Sequence, residues 1–132
     1  MPDRAGRTVL AFDFGTKRIG VAVGEPELRT AHPLPAVSQF SQVEALVSQW
    51  QPGALVVGRP TAVDGRAHAM TRRAEDFARR LERRFKLPVA RVDERFSSVE
   101  AESKLRGTRA RKGEIDSVAA QLILEQYFDE AA

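Results

Sequence analysis

Two apolar, β-rich runs near the start of the chain, Thr8–Phe14 (TVLAFDF) and Ile19–Val23 (IGVAV), are separated by only four residues. This spacing constrains the fold more than any other feature. Parallel neighbours need a crossover of about a dozen residues or more, so a connection as short as GTKR returns the chain antiparallel. The sequence therefore predicts an opening hairpin. The next segment, Glu25–Val37, is rich in turn formers (Pro26, Pro33, Pro35) and is expected to hold only a short edge strand around Thr30. Beyond it the period changes. Val43, Leu46, Val47 and Trp50 recur at helical spacing within Ser41–Trp50, and Pro52-Gly53 stops that helix. ALVVG (54–58) reads as a strand and RPTAVDGRAH (59–68) as a loop. Met70–Phe85 reads as a long helix with Ala74, Phe77, Ala78, Leu81 and Phe85 on one face, and PVARV (88–92) as another strand. Ser97 and Glu100 form a capping box that opens a helix to Leu105, Gly107 begins the basic loop GTRARKG, and a last helix spans Glu114–Phe128. The order βββ-α-β-α-β-α-α argues for an α/β fold. Its five-stranded mixed sheet, three antiparallel strands and then two reached by right-handed crossovers, would carry helices on its faces.

A chain of 132 residues suits one domain, 1–132, and an apolar content of 42% is enough for its core. With no cysteine, disulfides, thiolate zinc sites, iron–sulfur clusters and Cys nucleophiles are excluded, and a cytoplasmic location is expected. No stretch approaches the roughly 18 apolar residues of a membrane span, and the N-terminus lacks the apolar core of a secretory signal, so no membrane association is expected. The net charge of +3 conceals a strong asymmetry. Residues 1–58 are neutral, 59–112 carry net +8, and 113–132 carry net −5. A +8 segment is the footprint of a polyanion binder, although Arg72, Arg73, Arg79, Arg80, Arg83 and Arg84 fall on one helix beside Glu75, Asp76 and Glu82 and in part form an ordinary solvated face.

Three acidic residues stand where solvation does not explain them. Asp13 lies between Phe12 and Phe14 inside the first strand, where an unpaired carboxylate costs several kcal/mol unless it finds a partner such as a divalent cation. Its ordinary alternative is to cap the turn that follows. Glu94 comes where strand PVARV gives way to loop, and ligands gather at the carboxyl ends of strands in such sheets. Asp93 is its rival, and alternation along so short a strand does not decide between them. Either could simply pair with Arg91 or Arg95. Asp116 suits the first turn of a helix on dipole grounds alone, yet it shares a stripe with Ala120, Ile123 and Tyr127 that points inward. An oxygen-only set of this kind suits Mg²⁺ or Mn²⁺, and two such ions about 4 Å apart can cleave a phosphodiester.

Four stretches, FDFGTKRIGVAVG (12–24), LVVGRPTAVDG (55–65), VDERFSSVEAE (92–102) and KGEIDSVAAQLILEQYF (112–128), resemble the YqgF family over nearly the whole chain and in the right order. These are Holliday-junction-resolvase-like proteins, also described as pre-16S rRNA nucleases. The resemblance implies a ribonuclease H-like fold and a metal-dependent nuclease. It implies that Asp13, Glu94 and Asp116 are the catalytic, metal-binding acids, and it favours Glu94 over Asp93. Lys17 and Arg18 match the family's basic pair, and Lys112 its lysine before the last acidic motif. Arg59 stands where the family more often has an apolar residue. Its assignment to the nucleic-acid backbone rests on charge alone, and Lys17, Arg18, Arg95, Arg109, Arg111 and Lys112 are assigned to the backbone with it. The continuation Gly65-Arg66-Ala67-His68 is unlike the family's.

Other readings fare less well. DFGT resembles the first phosphate loop of actin- and sugar-kinase-like ATPases, but those close over nucleotide between two domains, and no Walker motif is present. A serine hydrolase lacks G-x-S-x-G, and His32 and His68 both fall in expected loops. A non-catalytic nucleic-acid binder would use the +8 segment equally well but has no need of three acids. The expected function is processing of the 5′ end of pre-16S rRNA, with branched DNA as the alternative substrate. Trimming a precursor needs one active site and resolving a four-way junction needs two related by a two-fold axis, so monomer and homodimer are both compatible.

Overall fold

Along the first strand Leu10, Phe12 and Phe14 point to one side and Val9 and Ala11 to the other, and this alternation organises the molecule. The computed structural model describes residues 7–60, 65–94 and 112–131, with side chains from Ala69 onward in the second helix and over 115–130 in the last. The elements are β1 (Val9–Phe14), β2 (Ile19–Glu25), β3 (Thr30–Val37), α1 (Phe40–Trp50), β4 (Ala54–Arg59), α2 (Gly65–Phe85), β5 (Val89–Asp93) and α3 (Lys112–Ala131). The five strands lie in the order β3-β2-β1-β4-β5. β1 and β3 run antiparallel to β2, while β4 runs parallel to β1, and β5 to β4. The opening hairpin and the two later parallel strands are as the sequence predicts.

The two faces of the sheet are packed differently. On one, Leu10, Phe12, Val21, Leu55 and Val57 meet Val43 of α1 and Ala74, Phe77, Ala78 and Leu81 of α2. This is an aromatic layer, with the Phe77 ring 5.7 Å from Phe12 and 5.0 Å from Phe14. On the other, Val9, Ala11, Ala22, Ala31 and Val56 meet Ala120, Ile123, Leu124 and Phe128 of α3. Small residues make this a thin layer.

Three expectations are corrected. β3 is eight residues long and contains both Pro33 and Pro35. Among the described residues it pairs only with β2, so a missing N–H is tolerated on its outer side. α2 begins at Gly65, five residues before Met70, because the apolar face that reveals the helix starts only at Ala74. Residue 68 therefore lies on a helix and exposed His32 on β3, not in loops. The last helix is also longer at both ends than Glu114–Phe128. The expected helix at Ser97–Leu105 lies outside the described residues.

Arg91 ties the edge strand β5 to α2. Its guanidinium donates to Glu75 (3.1 and 2.8 Å) and to Glu82 (2.8 and 3.0 Å), two turns apart on the helix. These hydrogen bonds hold both carboxyls below the usual carboxylate range. Their contribution is thus present at neutral pH and fades as the medium is acidified through that range. Arg91→Leu should cost about 1 kcal/mol in urea unfolding at pH 7, because partial exposure screens the pair. An unchanged midpoint would show that α2 is held by its apolar face alone.

Candidate active site

β1, β4 and β5 run parallel, so their carboxyl ends share one edge of the sheet, where sheets of this kind bind ligands. Asp13 lies one residue before the end of β1, opposite Gly20 of β2. Glu94 follows β5 directly, and its N–H donates to the Arg59 carbonyl oxygen at 2.9 Å, extending the ladder by one step. Asp116 approaches from α3, near the start of the helix.

What brings α3 to this edge is missing bulk. A Cβ on Gly20 would collide with the Asp116 carbonyl oxygen, and one on Gly58 would run into Ile123 and come 2.9 Å from Glu94 Oε1. A Cβ on Gly24 would meet the Leu124 and Phe128 side chains, each at 2.9 Å. The helix thus rests on bare backbone. Ser117, buried among these contacts, accepts a hydrogen bond from the Val21 N–H at 3.3 Å, where the register of β2 against β3 shifts. The period-two run of small residues Gly20-Ala22-Gly24 in IGVAVG was the available signal for this seam.

Of the three acids, Asp13 and Glu94 share a side-chain hydrogen bond. Desolvation raises both carboxyls, Asp13 well above its ordinary value, and the nearby charges of Glu94 and then Asp116 raise Asp13 further. The bond favours the proton on Asp13 and the charge on Glu94, so the two titrate as a pair. Asp116 is close enough for its charge to act on Asp13, but its carboxylate is engaged elsewhere: Arg18 Nε donates to Asp116 Oδ2 at 2.9 Å. Among the described residues, no group of three acidic or histidine side chains is close enough to hold a cation as it stands.

The raised pair has a stability consequence. A carboxyl whose folded value exceeds its unfolded one, about 3.9 for Asp, destabilises the fold progressively as pH rises through that interval. In chelator, Asp13→Asn should therefore melt above wild type at pH 7, with the gap closing as pH falls to 4. A gap that does not change with pH would show that Asp13 is not the protonated partner.

The rival acid and the basic residues are placed as follows. Asp93 is exposed and ion-pairs with Arg59 at 2.9 Å, leaving Glu94 as the acid that reaches Asp13. Lys17 is exposed in the β1–β2 turn, and Lys112 is the first residue of α3. Arg95, Arg109 and Arg111 lie outside the described residues. Sequence reasoning missed the Arg18–Asp116 pair, which joins residues 98 positions apart.

A family profile described as "RuvX: Holliday junction resolvase" matches residues 7–130. A protein of Dechloromonas aromatica named "Putative pre-16S rRNA nuclease" is 52% identical over 92% of this chain and 90% of its own length. A Methylobacillus flagellatus protein of the same name is 48% identical over 98% of this chain and 97% of its own. Among solved structures, T. thermophilus RuvC in complex with a Holliday junction substrate superposes with a TM-score of 0.60 at 15% identity, covering 94% of each chain. That likeness is one of fold, and it confirms the ribonuclease H-like architecture.

Proposed function

The chain belongs to the RuvX family of Holliday junction resolvases, and from that membership we propose that it is a divalent-metal-dependent nuclease acting on structured nucleic acid. The observation that carries this reading is the desolvated Asp13–Glu94 pair at the carboxyl ends of parallel strands. Two half-buried acids pressed together at a sheet edge need something positive between them. A proton on the raised Asp13 carboxyl would serve, and their oxygen-only donor set fits Mg²⁺ or Mn²⁺. The chemistry one or two such ions supply is polarisation of an attacking water and of the leaving oxygen. Asp13 and Glu94 would hold the ion on the sheet side and Asp116 would close the site from α3. With two ions bound, Asp13 would serve both, and Glu94 and Asp116 one each. Lys17, Arg18, Arg59 and Lys112, with Arg95, Arg109 and Arg111, would bind backbone phosphates.

Pre-16S rRNA is the substrate we propose, carried over from the names of relatives close to half identical over nearly the full length. A four-way DNA junction is the second reading, favoured by the description of the family. No helix among the described residues is long and apolar enough to cross a membrane, and action on a ribosomal precursor would place the protein in the cytoplasm. A cleavage panel of single-stranded RNA, rRNA precursor and four-way junctions, with Mg²⁺, Mn²⁺ or chelator, tests the proposal. Metal-dependent cutting of the precursor is expected. Cutting confined to junctions transfers the substrate to DNA, and no cutting of any substrate sinks the nuclease reading. Affinity for the precursor should fall steeply and linearly on a log–log plot against salt, as counterion release requires. A flat response would remove the phosphate contacts.

A further inference from the structure

One of the proposed phosphate ligands, Arg18, is already engaged within the site. Arg18 sits in the β1–β2 turn and donates from Nε to Asp116 Oδ2 at 2.9 Å, with both side chains about one-third exposed (38% and 30%). The backbone beneath is fixed, because Gly20 lies directly against the Asp116 carbonyl. Asp116 thus reaches the acidic edge as part of a rigid seam, while its carboxylate is held by a positive charge from the neighbouring turn. The three acids share one edge, yet among the described residues they do not form a ready three-acid cluster. A divalent ion that takes the Asp116 carboxylate competes with the guanidinium for Oδ2 and for its negative charge.

We propose that Arg18 is an exchangeable counterion of Asp116: divalent metal displaces it, and the released guanidinium then binds a phosphate of the incoming nucleic acid beside Lys17. The inference rests on the nuclease reading for the identity of the two ligands. Guanidinium suits the second half of the exchange, since its planar fork matches phosphate oxygens as well as it matches carboxylate. Lys17, exposed next to it, supplies a second cation on the same turn. The exchange makes metal and nucleic acid cooperative. Metal frees the phosphate ligand, and a phosphate on Arg18 removes the competitor for Asp116, so by linkage each tightens the other by the same factor.

The test is Mn²⁺ affinity, read by the electron paramagnetic resonance of free Mn²⁺, on the full chain without nucleic acid. Arg18→Gln should bind Mn²⁺ more tightly than wild type, by about 5-fold or more, the lower range of measured couplings. Arg18→Lys should also bind more tightly than wild type but by less, since an ammonium holds a carboxylate at a single point. Arg18→Lys decides the matter should Arg18→Gln not fold. An uncleavable RNA duplex should raise the Mn²⁺ affinity of wild type and raise that of Arg18→Gln less. Equal or weaker Mn²⁺ binding in both variants overturns the exchange, and weaker binding would make Arg18 a brace that holds Asp116 ready for metal. Failure of the nuclease reading looks different: wild type and both variants would then bind no Mn²⁺ at this edge, and Asp13→Asn would change nothing.

Discussion

Asp13→Asn should keep the fold by circular dichroism and lose more than about 100-fold in Mn²⁺-stimulated cleavage. Removing a group that merely orients a metal ligand costs 10–100-fold, and Asp13 is proposed as the ligand itself. The amide keeps the shape of the carboxyl but brings no charge to a site whose chemistry depends on attracting a divalent ion. Because desolvation raises the Asp13 carboxyl and its bond with Glu94 favours the proton on Asp13, the amide resembles a neutral Asp13, and so the fold gains as activity is lost. That opposition separates a catalytic acid from a structural one. A structural carboxyl removed from inside a strand would cost stability, whereas this one should return it. Cleavage at the wild-type rate would end the case for metal-dependent catalysis at this edge.

Gly20→Ala should destabilise the protein by about 3 kcal/mol, at the upper end of what overpacking costs. The cost is high for a single methyl because the obstacle is backbone. The new Cβ would meet the carbonyl of Asp116 and come 2.9 Å from the Ser117 nitrogen, and neither can rotate aside. The start of α3 would have to lift, giving up the Val21–Ser117 hydrogen bond and carrying Asp116 away from Asp13. Activity should therefore fall even under conditions where the variant is fully folded. Urea unfolding and the cleavage assay at low temperature check the two halves separately. A variant as stable and as active as wild type would show that α3 does not rest on β2 at this point.

How much of this was legible follows from the range of each interaction. Asp13 stands out because a charge inside an apolar strand is a local anomaly visible in three residues. The order of the elements was legible for the same reason, since periodicity and turn length are local. Glu94 was not separable from Asp93 by pattern, because β5 is five residues long and Glu94 lies just beyond it. The structure separates them by partner, with Arg59 on Asp93 and Asp13 on Glu94. Arg18 read naturally as a phosphate ligand because nothing in GTKRIG says that Asp116 lies opposite. Contacts between residues 98 positions apart leave no trace in spacing. The glycine seam was legible in principle, but alternating small residues in a strand show that something lies close and not what it is. The first turn of α2 was hidden because GRAH has neither an apolar stripe nor a capping residue.

Pro33 and Pro35 determine how copies of this molecule can meet. A sheet whose outermost strand offers a full row of donors is a template on which another chain can add a strand, and through that route come both ordered dimers and fibres. β3 withholds two donors from that row. Growth of the sheet across this margin into a continuous ten-stranded one is therefore disfavoured. A two-fold pair meeting across this margin, with both acidic edges turned to one substrate, would be built from side-chain surfaces, where charge and salt govern its lifetime.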